Sequence, residues 1–321
     1  MRYKKNIVWL STILLIVIAI VLIGFKPWEA NNEKRLNYTG EMEPRLGYVE
    51  LQVSDLEQSL SFYQEIIGFK LLEKNGNSAK LTSDGKTPIL TLIEESSFVE
   101  RPFGTTGLFH FAILVPSREE LASMLNHLID SEYPLQGVSD HQYSEAIYLA
   151  DPDFNGIEIY VDRDPDLWLE DESGGYVGGT YQLDVKDLLS EISGKEWDGL
   201  AADTRLGHMH LQVSNIEESE KFYVDALGFN VVARDSQMLF VSKDDYHHHI
   251  GMNTWAGEGL PKPPDNALGM RYYTTHFTQE EYDQAISQLT KLGFSFTEEN
   301  NVITTEDPSG NQIKIILWDR I

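Results

Sequence analysis

The stretch LGYVELQVSDLEQSLSFYQEIIGF (Leu46–Phe69) decides the fold, because it returns as LGHMHLQVSNIEESEKFYVDALGF (Leu206–Phe229) with twelve of twenty-four positions identical. Identity of that density at fixed spacing is an internal repeat. Each copy opens with alternating apolar residues, Val49, Leu51 and Val53 in the first, a pattern that predicts a strand. Asp55 or Asn215 then predicts a helix N-cap, an amphipathic helix carrying Phe-Tyr follows, and Gly-Phe opens the next strand.

Two looser copies begin at GLFHFAILVPSREELASMLNHL (Gly107–Leu128) and LGMRYYTTHFTQEEYDQAISQL (Leu268–Leu289). Their ends also agree: DPDFNGIEIY (Asp151–Tyr160) parallels DPSGNQIKII (Asp307–Ile316), a tight turn leading into a final strand. The expected class is α+β, built from four βαβββ units in two pairs. The first pair spans 45–162, an Asp/Glu/Gly-rich linker spans 163–203, and the second pair spans 204–321.

Outside the repeats, Ile7–Phe25 contains no charge and is long enough to cross a membrane as a helix. Arg2, Lys4 and Lys5 precede it and Lys26 follows, an asymmetry that predicts a cytoplasmic N-terminus and an extracytoplasmic body. Residues 1–26 read as an uncleaved anchor rather than a signal peptide, since no small-x-small cleavage site follows. Residues 27–44 read as a polar tether. Twenty-five Lys and Arg against 51 Asp and Glu give a formal charge of −26, which repels phosphate backbones and argues against nucleic-acid binding. The absence of Cys excludes disulfides, thiolate metal sites and cysteine nucleophiles.

On these repeats the chain resembles the vicinal oxygen chelate superfamily of glyoxalases, bleomycin-resistance proteins and extradiol dioxygenases. Within it the chain is most similar to the two-domain bacterial catechol 2,3-dioxygenases. The resemblance implies that paired units curl a sheet around a metal, with ligands on the first strands of both units and on the last strand of one. At the first-strand position the four units carry Tyr48, His110, His208 and Tyr272, and at the last-strand position units two and four carry Glu158 and Lys314. Chain-order pairing leaves both sets incomplete. Pairing unit two with unit three gathers His110, Glu158 and His208, two imidazoles and a carboxylate suited to Fe(II), with Mn(II) as the alternative. Units one and four are left with Tyr48, Tyr272 and Lys314, a metal-free cavity. His210, on the same strand face as His208, competes as a ligand.

The run HQYSEAIYLADPDFNGIE fits the extradiol pattern that opens at a His, passes an apolar-Tyr pair and closes on the metal-binding Glu, here His141, Ile147, Tyr148 and Glu158. It departs from that pattern at Ser139 and at Phe154, where a turn Gly or Pro is usual and where Asn155-Gly156 is expected to supply the positive φ instead. By the same resemblance His249, in YHHHIGMNTW (Tyr246–Trp255), is the acid/base residue, while His141 and Tyr148 hydrogen-bond substrate or oxygen. Read as a strand, that stretch puts His247 and His249 on one face and His248 on the other. The implied activity is metal-dependent extradiol cleavage of an aromatic diol by dioxygen. A glyoxalase-like lyase or isomerase and a non-catalytic aromatic-binding protein are the alternatives, and homo-oligomerisation is left open.

Overall fold

The computed structural model describes residues 45–170, 176–194 and 197–318. The expected anchor and tether lie outside the described residues. Among the described residues no helix is long and apolar enough to cross a membrane.

Unit one runs β1 (Leu46–Val53), α1 (Leu56–Ser61) extended by a π-turn over Phe62–Ile66, β2 (Lys70–Asn75), β3 (Ser78–Thr82) and β4 (Pro88–Glu94). Unit two runs β5 (Gly107–Leu114), α2 (Arg118–Asp130), β6 (Gly137–Asp140), β7 (Ser144–Ala150) and β8 (Gly156–Asp162). After a connecting segment with α3 (Val185–Leu189), unit three runs β9 (Arg205–Gln212), α4 (Ile216–Glu220) with a π-turn over Lys221–Ala226, β10 (Asn230–Arg234), β11 (Met238–Ser242) and β12 (Ile250–Asn253). Unit four runs β13 (Gly269–Phe277), α5 (Gln279–Leu292), β14 (Phe296–Glu299), β15 (Val302–Glu306) and β16 (Gln312–Leu317). The expected caps form: Asp55 accepts from the Gln58 N–H, and Asn215 from the Glu218 N–H.

The units pair crosswise. One eight-stranded sheet has the order β14-β15-β16-β13-β1-β4-β3-β2, and the other β10-β11-β12-β9-β5-β8-β7-β6. Each sheet thus takes one unit from residues 45–162 and one from 204–321, joined by an antiparallel seam of first strands, β1 with β13 and β5 with β9. Alternation along those strands splits the side chains by chemistry. Val49, Leu51, Phe111, Ile113, Met209, Leu211 and Tyr273 are fully buried in one core shared by the two sheets. Tyr48, Glu50, His110, His208, His210 and Tyr272 take the opposite face.

Chain-order neighbours remain tied by the repeated motifs themselves. The Tyr63 hydroxyl of unit one donates to Asp151 of unit two at 2.8 Å, and the Tyr223 hydroxyl of unit three donates to Asp307 of unit four at 3.0 Å. Each aspartate also receives its turn's asparagine amide, Asn155 or Asn311. In the first of these turns Phe154 itself takes the positive φ, 65°, where its counterpart Gly310 has 89°. The expectation that Asn155-Gly156 would supply it is corrected: Phe154 carries the positive φ itself, its ring exposed and its N–H donating to the Asp151 carbonyl at 3.0 Å. Gly156 serves a different need, since a Cβ on it would lie 2.1 Å from the Phe109 carbonyl.

The acidic linker is docked, not free. Trp168, Leu183 and Leu188 are buried, Arg118 on α2 reaches Asp187 and Glu191 as well as Glu145, and Asp140 and Tyr181 exchange backbone hydrogen bonds.

Candidate metal centre

The seam of the second sheet builds a site around a small residue. Ala112 on β5 lies opposite His208 on β9 and beside Glu158 on β8. Directly paired residues point to the same face, so His208 and Glu158 flank a methyl group while His110 enters from two residues along β5. Their ligand atoms all lie within 4.8 Å of one another, and all three residues are buried. His208 Nε2 is 3.2 Å and His110 Nε2 3.0 Å from Glu158 Oε2. The His110 nitrogen is off the line of a hydrogen bond, and it has no hydrogen-bond partner among the described residues.

The electrostatics suit a cation. Burial by itself would raise the Glu158 carboxyl, but the attraction of His208 and the approach of both imidazoles outweigh it and hold the group well below the usual carboxylate range. Burial holds the His208 imidazole below its ordinary value. The site therefore offers a carboxylate and an unprotonated imidazole, and a buried His110 nitrogen that nothing else satisfies. That donor set fits a divalent metal with positions left open. His210 faces the same way but its Nε2 is 3.1 Å from the Asn253 amide, and it stands outside the converging group.

Around the three residues, Tyr148 lies directly across β7–β8 from Glu158. Burial, then the Glu158 charge, raises its phenol well above the ordinary value, so it stays a donor. His141, in the β6–β7 turn, lies 2.7 Å from the Tyr148 hydroxyl through Nε2 and 2.6 Å from the Gly179 carbonyl through Nδ1. A carbonyl only accepts, so Nδ1 carries a proton, and Nε2 is the nitrogen that meets the Tyr148 hydroxyl. The linker thereby orients a residue of the site. Phe109 and Trp255, at a ring-centroid separation of 5.5 Å, are both partly exposed and flank His210.

The histidine run is arranged differently from its expected alternation. Residues 246–249 follow the turn at Asp244–Asp245 without strand structure, and β12 begins only at Ile250. His249 consequently turns toward Ser242, its Nδ1 within 2.9 Å of that hydroxyl and receiving the Lys243 N–H. His248 is the member whose ring lies against His208, with centroids 4.3 Å apart, and it stacks on Phe240 at 4.5 Å. The expectation that alternation puts His247 and His249 on one face is corrected on that ground, because residues 246–249 are not a strand. A turn signal was present in Lys243-Asp244-Asp245, and Asp244 takes a positive φ of 59°.

A family model described as the Glyoxalase/Bleomycin resistance protein/Dioxygenase superfamily matches residues 45–159 and 205–315. The chain is 44% identical over 280 residues to the catechol-2,3-dioxygenase of Bacillus subtilis (strain 168), an alignment covering 86% of this chain and 98% of the relative. It is 28% identical over 119 residues to biphenyl-2,3-diol 1,2-dioxygenase 3 of Rhodococcus globerulus, covering 35% of this chain and 62% of the relative. Among solved structures, glyoxalase I from Zea mays has a similar fold, with a TM-score of 0.54 at 15% identity over 85% of this chain and 92% of that one.

Proposed function

The chain belongs to the Glyoxalase/Bleomycin resistance protein/Dioxygenase superfamily, and on that premise we propose that it is a metal-dependent extradiol dioxygenase opening a catechol-type ring beside its two hydroxyl groups. The observation that carries this reading is the convergence of His110, Glu158 and His208 in a chain 44% identical to a catechol-2,3-dioxygenase. We assign those three residues as the ligands. Fe(II), which this donor set suits, supplies when bound the adjoining positions at which diol and dioxygen meet.

The chain's own groups do the rest. His248, beside His208, is placed to take a hydroxyl proton from the diol, the role expected of His249. Tyr148 holds a hydroxyl at the edge of the site, and His141 fixes its direction. Phe109, Phe240 and Trp255 offer aromatic surface to a flat ring and keep water from it. We further propose that Ile7–Phe25 anchors the protein, because an uncharged run of that length and composition supports a spanning helix. A C-terminal reporter active only in the cytoplasm would contradict the proposed extracytoplasmic body.

Anaerobic loading with Fe(II), followed by a panel of catechols in air, tests the activity. The expected result is a yellow ring-opened semialdehyde and oxygen uptake in equal amount. Stoichiometric iron with no product from any catechol would remove the dioxygenase reading.

A further inference from the structure

We propose that Asp162 and His247 form a relay that fixes the tautomer of His248, leaving its Nε2 unprotonated as the acceptor for the substrate's proton. The geometry is independent of the dioxygenase reading, while the purpose rests on it. Asp162 Oδ1 lies 2.8 Å from His247 Nε2, and His247 Nδ1 lies 2.8 Å from His248 Nδ1. A carboxylate only accepts, so His247 Nε2 carries a proton and donates it. His247 Nδ1 and His248 Nδ1 face one another across a single hydrogen, which the relay assigns to His248. With that hydrogen on Nδ1, His248 is left with a lone pair on Nε2. The chain of contacts begins at the carboxylate.

The surroundings hold these groups in place. The second oxygen of Asp162 accepts from the Tyr246 hydroxyl at 2.9 Å, and that hydroxyl lies 2.6 Å from the Tyr160 hydroxyl, so the carboxylate is pinned on both sides. His247 is stacked on Tyr143 with centroids 4.4 Å apart, and Trp168 meets it at 5.3 Å. His248 is held between Phe240 and His208. Asp162 and His247 are positioning residues, acting on the reaction through the ring of His248. A misassigned tautomer at a comparable carboxylate–imidazole pair costs orders of magnitude in turnover.

The test uses the full chain with 15N-labelled histidine, read without metal by long-range proton–nitrogen correlation of each ring, and with Fe(II) by steady-state kinetics. The expected wild-type result is a His248 ring protonated at Nδ1. Asp162→Asn offers an amide that can donate to His247 Nε2, which releases the order. His248 should gain the Nε2-protonated form, kcat should fall on the order of 10²-fold, and iron content should be retained. His247→Phe keeps the stack on Tyr143 and removes the Nδ1 acceptor, so it should show the same pair of effects if the first variant does not fold. A wild-type His248 protonated at Nε2 would overturn the proposal. So would an unchanged tautomer and turnover in both variants. The expected tautomer in a protein that opens no catechol would support the relay and remove the dioxygenase reading alone.

Discussion

The two sheets are the same construction with different side chains at five matched places. In one seam His110, Ala112, His208, His210 and Glu158 face the concavity, and in the other Tyr272, Thr274, Tyr48, Glu50 and Lys314 take those places. The second set neutralises itself. Tyr272 donates to Glu50 at 2.9 Å, Arg271 pairs with Glu50 at 2.7 Å, and the two tyrosine hydroxyls lie 3.2 Å apart. The Lys314 ammonium sits 3.6 Å over the Tyr272 ring, a cation already in place where Glu158 stands in the first set. Two tyrosine hydroxyls bonded to each other, the Tyr272 phenol raised by burial, and an ammonium cannot collect a divalent metal, whereas imidazoles and a carboxylate can. One backbone plan therefore yields a converging set of two imidazoles and a carboxylate on one sheet and a self-satisfied polar face on the other.

The largest expected effect breaks the asymmetry altogether. Glu158→Ala or His208→Ala should bring bound metal to background and abolish turnover, read by metal analysis and oxygen uptake together. Retained metal in either variant would mean that the ligands are elsewhere.

Acid should separate the sheets next. His208, His210, His248 and His249, all carried by unit three, are held below the ordinary 6.5 by burial. Below that pH the unfolded chain binds protons that the folded chain refuses, so stability falls as pH falls. The slope is up to roughly 1.4 kcal/mol per pH unit for each imidazole. In the metal-free protein, amide protection factors, corrected for the intrinsic exchange rate, should fall between pH 7 and 5 more on β9 and β12 than on β1 and β13. An equal fall on both sheets would contradict the assignment of acid sensitivity to this site.

A smaller effect comes from the repeated glycine. A Cβ on Gly207 would lie 1.9 Å from the Tyr160 hydroxyl, and one on Gly47 would lie 2.5 Å from Thr274 Oγ1. Gly207→Ala must displace a fully buried tyrosine and should cost about 1–3 kcal/mol in chemical denaturation. Gly47→Ala, meeting the Thr274 hydroxyl and, at 3.1 Å, the His276 ring, should cost less.

Much of this was legible in the sequence, for physical reasons. Strand alternation, the Asp55 and Asn215 caps and the Asp-Pro turns are local signals, and the repeat supplies each one more than once. The convergence of His110, Glu158 and His208 was legible because a repeat lets a residue be judged against its counterparts: Glu158 against Lys314, His110 against Tyr272. What escaped depends on tertiary context. Whether Tyr246–His249 continues a strand or turns is settled by Ser242, Lys243 and Asp162 receiving its side chains, not by its own alternation. The docking of the linker through Arg118 and Gly179 is likewise invisible in a composition that reads as solvated. Phe154 shows the limit of residue rules, since a non-glycine residue takes the positive φ there despite the local steric cost to its Cβ.

The smallest effect is expected on the metal-free face. Tyr48→Phe removes one hydroxyl contact worth about 1 kcal/mol at most, and Lys314→Met removes a cation over a ring. Both variants should keep metal content and turnover at the wild-type level. A loss of metal from either would erase the contrast between the faces.

Anomalous diffraction at the iron edge from crystals loaded with Fe(II) tests the central claim most directly. The account predicts a single iron peak per chain, bonded by His110, Glu158 and His208. A peak beside Tyr48, Tyr272 and Lys314, or two equal peaks, would contradict it.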